Sequence, residues 1–383
     1  MTTFCRVAYG GAAFALLTAA VCVSSVASPS VSVRLSNLNL AVSFTDVAVT
    51  SDADDYMRVK RLYSSLSTFS HIFGYGWGSD LDTNLVVRPD GVLWLTQYGN
   101  GFTRVFSETS NTNPNAMLNE IEGGALQEGM IGSDDELAAY SKESSWDVMN
   151  LYQSMRNEGY LAPGQTMVGA VFSDYANGFA RVVAVPEGYQ LVILGNDRQW
   201  PLDALFDGAG KLIRIWVHGH PEQFISYGWS SDAVGHHTLA ALSCVLSMSD
   251  YRGNVFRFQY DTPCGRVKHI DAGRFGAIDY RYDGKGDLRS ERDSSGLYRY
   301  LYDDYHDLTG IDPPHGDPLI FKYADHVGTL KSLQCSDGTT YEFTVLSQAN
   351  GYATSMRVDK KEGTTTTSET MGSSQLGVYT YCS

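Results

Sequence analysis

Prolines are few for a chain of this length, 11 among 383 residues, and charged side chains make up only 19%. Basic residues are the scarcer sign, 28 against 43 acidic, for a formal net charge of −15. A sequence-independent grip on nucleic acid needs the opposite balance and is excluded. None of the six cysteines forms a Cys-x-x-Cys pair, which removes a zinc ribbon and a thioredoxin-type redox site. A Gly-x-Ser-x-Gly elbow, a His-Glu-x-x-His helix and a phosphate loop are missing too. Gly74, Gly76 and Gly78 alternate with aromatics, but no convincing helix follows, so they do not read as a dinucleotide loop. What remains is a hydrophobic fraction of 43%, enough for a core, with 38 glycines and 24 tyrosines. Glycine for tight turns and tyrosine for half-buried sheet positions describe a chain of many short strands.

Arg6 is the only charge ahead of an apolar stretch from Val7 to about Val26, and Ser25-Val26-Ala27 ends it with small residues. This order reads as a secretory signal peptide over residues 1–27, cleaved after Ala27. About 20 apolar residues could also span a bilayer, so an uncleaved signal is the one route to a membrane. Export removes Cys5 and Cys22 and leaves Cys244, Cys264, Cys335 and Cys382 in an oxidising compartment. Four cysteines allow three disulfide connectivities. Sequence neighbours favour Cys244–Cys264 with Cys335–Cys382, although spacing alone does not select a pairing.

Residues 28–106 read as a first β region. Within it, Leu85–Arg88 and Val92–Leu95 flank Asp90-Gly91 and predict a hairpin. Composition changes over 107–165. Ser133 and Ser144-Ser145 cap helical runs there, and Trp146, Met149 and Tyr152 share one face, which predicts a small helical insertion packed on the sheet. Residues 166–383 return to strands. The Thr/Ser-rich stretch from Lys360 to Ser374 reads as a loop before a last strand near Val378–Tyr381.

The third region is periodic. Phe206-Asp207 with Gly210, Tyr260-Asp261, Tyr280-Arg281-Tyr282-Asp283 with Gly286 and Leu288, Tyr300-Leu301-Tyr302-Asp303, and Phe321-Lys322-Tyr323 with Gly328 repeat one outline. Tyr282, Tyr302 and Tyr323 recur about every 20 residues, so each unit is two strands and two turns. One unit cannot bury a face alone; neighbours must stack, and the sheet must wind. The paired tyrosines fall on one strand face, where they are expected to pack on the rings of adjacent copies. The aspartate and glycine make the reversal, which gives them structural work before any catalytic one.

This Tyr-x-Tyr-Asp-x-x-Gly-x-Leu unit resembles the YD repeat of the RHS (rearrangement hotspot) proteins, over roughly Phe206 to Phe343. Asn37-Leu38-Asn39 with Thr45-Asp46-Val47, then Arg61-Leu62-Tyr63-Ser64-Ser65, then Phe73–Trp77 are similar to the region that commonly precedes those repeats in bacteria. The resemblance implies a mainly β fold: a coiled antiparallel sheet of hairpin repeats forming a partial shell. It also implies an exported scaffold that works by contact or encapsulation, linked to toxin delivery or cell-surface interaction. Another protein chain or a cell-surface glycan is the implied partner, with no cofactor and no catalytic residues. This chain is short for the family and lacks its terminal core motif and a toxin domain. Asp312–Leu319 faintly echoes the segment where such toxins cut themselves, but without the glycine and aromatic residues that follow there, it reads as a turn.

Two other readings compete. Exposed Tyr and Trp on strands would suit a carbohydrate-binding module. A hydrolase would need a carboxylate pair, and nothing in the spacing selects one. His218 and His220 are the weak metal candidates, two imidazoles on one strand face lacking an assured third ligand, with Glu222 or His236-His237 as the nearest sources.

Overall fold

The computed structural model describes residues 29–49, 57–88, 91–99, 102–110, 168–174, 180–194, 202–230 and 244–382. The signal sequence, the expected helices of the insertion and His236-His237 lie outside them. Among the described residues the chain is β-strand, turn and three short 3-10 turns.

The strands form two sheets and one short pair. The front sheet has five strands, in the order Val378–Cys382, Ser30–Arg34, Asn39–Ala48, Arg58–Ser64 and Trp77–Ser79. Over much of three strands its inward face alternates: Val31 and Val33, then Leu40, Val42 and Phe44, then Val59, Arg61 and Tyr63 are all buried. The period-two pattern therefore puts one cation, Arg61, in a row of apolar side chains.

The long sheet is an unbroken antiparallel ladder of 21 strands, from Asn84–Val87 to Thr365–Gly372. It begins with the expected hairpin, Leu85 opposite Leu95 and Val87 opposite Leu93. The strand Phe102–Ser110 pairs directly with Val171–Asp174, Ser110 opposite Val171. The ladder coils. Asn84 bridges Lys211, and the Leu85 amide donates to the Gly210 carbonyl at 2.9 Å, which brings the first strand against the turn before Leu212–Val217. The sheet is thus the coiled antiparallel ribbon that the repeat predicts. Each unit buries one face, and the next unit continues that face.

Two expectations change. The Thr-rich stretch is not a loop: Tyr352–Glu362 and Thr365–Gly372 form a hairpin with Glu362 opposite Thr365. β-Branched threonine suits an outer strand exposed on both faces, which outweighs the loop-like composition. The C-terminal strand leaves the long sheet and pairs with Ser30–Arg34 instead. The Cys335–Cys382 disulfide, with Cα atoms 5.5 Å apart, ties it back to the repeats; the second disulfide joins Cys244 to Cys264, 5.1 Å apart. No helix among the described residues is long and apolar enough to cross a membrane.

Candidate functional site

The repeat residues come together along one seam, where the turns of the long sheet meet the front region. In each copy the aspartate builds the turn with its own carboxylate. Asp283 Oδ1 accepts from the amides of Lys285 and Asp287 at 2.9 and 3.0 Å, and Asp303 Oδ1 from those of Tyr305 and Asp307 at 2.8 and 3.0 Å. Asp207 does the same for Ala209 and Lys211, both at 2.9 Å. Three residues after the aspartate, the backbone is left-handed: φ is +83° at Gly210, +94° at Gly286 and +83° at Gly328. Two copies depart from this. His306 holds the position at +71°, with Nδ1 2.8 Å from Asp287 Oδ1 and its ring stacked on Tyr75 at 4.6 Å. The turn after Asp261 is one residue longer, and Cys264 takes the left-handed conformation at +52°.

The turn is followed by a bulge. The register slips by one residue where Phe206 meets Leu212, Tyr260 meets Val267, Tyr282 meets Leu288, Tyr302 meets Leu308 and Tyr323 meets Leu330. A bulge takes a residue out of regular pairing and frees its backbone groups for other partners. Three of the amides that close the bulges reach the front region. Val267 donates to the Ile72 carbonyl at 2.8 Å, Leu330 to the Leu38 carbonyl at 3.0 Å, and Leu308 to the Tyr63 hydroxyl at 2.9 Å. The carbonyls on the other side serve the repeat itself. Tyr260, Tyr282 and Tyr323 donate from their hydroxyls to the carbonyls of Val245, Val267 and Leu308, each fifteen residues earlier, at 2.6 to 2.8 Å. Tyr302 instead accepts from the Trp77 indole at 2.8 Å.

The front chain therefore reads the repeats in reverse order, Leu38 at Leu330, Tyr63 at Leu308, Ile72 at Val267 and Leu85 at Gly210. Contact is close enough that a Cβ on Gly328 would overlap the Ser65 carbonyl, and one on Gly210 the Leu85 carbonyl. The paired tyrosines do share an inward face, but the ring-on-ring packing expected between copies is replaced. Tyr280 lies edge-on to Phe73 and Tyr300 to Trp77 and Phe44, at 5.3 to 5.8 Å, because the front sheet fills the space the rings enclose. Removing the Tyr63 hydroxyl isolates a buried amide. Tyr63→Phe should cost about 1 to 3 kcal/mol in urea unfolding. An effect below about 0.5 kcal/mol would mean the Leu308 amide has another acceptor.

At the middle of the seam sits Arg61, fully buried. Its Nε and Nη2 donate to the two oxygens of Asp46 at 2.5 and 2.9 Å, and Nη2 also donates to Glu291 and to the Tyr300 hydroxyl. Tyr280 donates to Asp46 at 2.5 Å and Tyr300 to Glu291 at 2.8 Å. The rings of Phe44, Phe73, Trp77, Tyr280 and Tyr300 surround the guanidinium at 5.0 to 5.7 Å. Planar, forked arginine suits both the bidentate carboxylate and the ring faces. Burial opposes its charge, but Asp46, Tyr300 and Glu291 outweigh that and raise its pKa. Burial and the Asp46 charge push Glu291 up to about 8, against the pull of Arg61. Asp46 and Glu291 are two carboxylates around one cation with no exposed surface, an arrangement that clamps two sheets together.

Glu291 is not alone. Burial also pushes Asp307 up to about 7 and Asp80 to about 6, while Asp82 raises the pKa of His71. A group whose pKa is higher in the folded state adds stability that is complete below its unfolded pKa and is lost as pH rises toward the folded value. Unfolding free energy should therefore fall between about pH 4 and 8. Glu291→Gln should flatten that slope, because Oε1 has no hydrogen-bond partner among the described residues and the amide oxygen can still accept from Arg61. Urea unfolding at pH 5 and pH 8 decides it; equal or greater stability at pH 8 contradicts the assignment.

His218 and His220 do not share a strand face. The strand ends at Val217, Gly219 turns with φ +85°, and each ring takes its own carboxylate: His218 faces Asp203 at 2.9 Å and His220 faces Glu222 at 3.3 Å. Among the described residues no three His, Cys, Asp or Glu side chains converge as a metal site.

Sequence reasoning placed Asp46 and Arg61 in recurring motifs without giving them a role, and it did not single out Glu291. The signal for Arg61 was its place between Val59 and Tyr63 on an alternating strand. For Glu291 it was the spacing Leu288-x-x-Glu291. The bulge turns the residue three after Leu288 inward, just as Ile270, Ile311 and Leu333 follow Val267, Leu308 and Leu330.

Comparison with known proteins finds no matching family model and no matching curated protein. Among solved structures, the chain is similar to one in the pore form of the Photorhabdus luminescens Tc holotoxin, at 13% identity and a TM-score of 0.28, over 80% of this chain and 19% of that one. It is also similar to TcdB2-TccC3 without its hypervariable C-terminal region, at 11% identity and a TM-score of 0.28, over 82% of this chain and 20% of that one. The chain spans about a fifth of the length of these matches.

Proposed function

We propose that the chain is an RHS/YD-repeat scaffold, exported and working by contact or enclosure rather than by catalysis. One observation carries this reading: the polar groups that recur with the repeat are already engaged in building it. Asp207, Asp283 and Asp303 hold their own turns, Tyr282 and Tyr323 bond the preceding units, Tyr302 takes the Trp77 indole, and Asp46 and Glu291 are sealed around Arg61. Side chains committed to backbone and to a buried cation are poor acids, bases or nucleophiles, since those must reach a substrate. The disulfides Cys244–Cys264 and Cys335–Cys382 support an oxidising destination and, with the apolar N-terminus, secretion. On the family resemblance, the scaffold serves toxin delivery or cell-surface contact, with another protein chain as its partner.

The test is expression of the tagged full-length chain, followed by N-terminal sequencing of the exported form and identification of what co-purifies with it. The reading expects a mature chain starting at Ser28 and one stoichiometric protein partner. An intracellular chain with its N-terminus intact would overturn export. Recovery of no partner would overturn the delivery role.

A further inference from the structure

The outward face of the repeats carries charge that the scaffold does not use. Alternation sends Gln259, His269, Asp279 and Arg292 into one cross-strand row, and Arg281, Ser290 and Arg299 into the next. Ser290 therefore stands between Arg281 on one neighbouring strand and Arg299 on the other, with Arg292 two residues along on the same face. A short hydroxyl flanked by three long guanidiniums leaves a hollow. The groove there holds about 600 Å³ and is lined by Gln259, Lys268, His269, Asp279, Arg281 and Arg292 among others.

Its cations are unusual in their setting. The chain as a whole is at −15, yet Lys268, Arg281 and Arg292 gather on one exposed face and make no ion pair among the described residues. Arg299 is tied to Asp312 at 3.2 Å, and Asp279, opposite Arg292, bonds His269 at 2.8 Å within the groove. Like charges close together on a sheet face repel, and an anion held between them removes that penalty. Arginine forks suit the paired oxygens of carboxylate or sulfate, and Gln259, Ser290 and Asp279 offer the donors and acceptors that sugar hydroxyls need.

We propose that this groove binds an anionic polysaccharide through its carboxylate or sulfate groups. The groove crosses five strands, about 19 Å at the usual strand spacing, which suits a short oligosaccharide. A nucleic acid fits less well. The net negative charge repels a long polyanion beyond the patch, and no exposed aromatic ring among the described lining residues offers a base a stacking surface.

Titration calorimetry of the purified full chain tests this with a galacturonate hexamer, a heparin hexasaccharide, a neutral hexasaccharide, inorganic sulfate and a short single-stranded DNA. At least one acidic oligosaccharide should bind, with affinity falling as salt rises. Arg281→Gln with Arg292→Gln should weaken it at least tenfold while urea unfolding is unchanged. The proposal fails if neither acidic oligosaccharide binds, or if the double variant binds as the parent does. It fails equally if the neutral sugar, sulfate alone or DNA binds as tightly.

Discussion

Arg61→Met should lower the unfolding free energy by about 3 to 5 kcal/mol, among the largest effects of any substitution in this chain. Methionine fills much of the volume, so packing is not the reason. Asp46 and Glu291 would be left buried with no cation between them, and Tyr280 and Tyr300 cannot replace it. The lesion has a specific cure. Adding Asp46→Leu and Glu291→Leu to Arg61→Met removes both stranded carboxyl groups, the Asp46 charge among them, and a well-packed apolar replacement of a buried ionic cluster is often neutral or stabilising. The triple variant should therefore recover most of the loss in urea unfolding. A single variant within about 1 kcal/mol of the parent, or a triple variant no better than the single, would mean that the cluster is not the lock described here.

Gly210→Ala should be nearly as damaging, and Gly219→Ala shows why. Both glycines have almost the same backbone, φ +83° and +85°, so both pay the left-handed penalty of about 1 to 2 kcal/mol. They differ in what lies beside them. A Cβ on Gly219 meets open space, whereas one on Gly210 overlaps the Leu85 carbonyl. Moving that strand away also breaks the Leu85 amide bond to the Gly210 carbonyl, a further cost of about 1 to 3 kcal/mol. The difference between the two variants isolates the closure of the first coil. Equal losses would mean that the turn before Leu212 does not hold the first strand.

Much of this architecture was legible from residues whose local chemistry and global role agree. Tyr282-Asp283 and Gly286 look like a strand running into a tight turn, and they are one, because aspartate and glycine favour that reversal wherever they sit. The winding followed from the 20-residue period. What could not be read is what the bulge does. A strict two-residue alternation from Leu288 turns Glu291 toward solvent, yet the extra residue in the bulge turns it into the core. The three amides that meet the front region depend on the same slip, and nothing in a leucine announces that its N–H is free. For His218 and His220 the reason is the converse: alternation does not extend across Gly219, because the strand ends at Val217. The Thr-rich hairpin was hidden because composition alone does not separate a loop from an outer strand.

Native-state hydrogen exchange of the amides of Val267, Leu308 and Leu330 tests the seam most directly. Each stands at a break in its ladder, so a sheet standing alone would leave these amides open to solvent. Sealed by the Ile72 carbonyl, the Tyr63 hydroxyl and the Leu38 carbonyl, they should exchange as slowly as the core strands, and all three should speed up together in Arg61→Met. Fast exchange in the parent chain, at the rate of exposed bulge amides, would show that the front sheet does not grip the coiled ribbon.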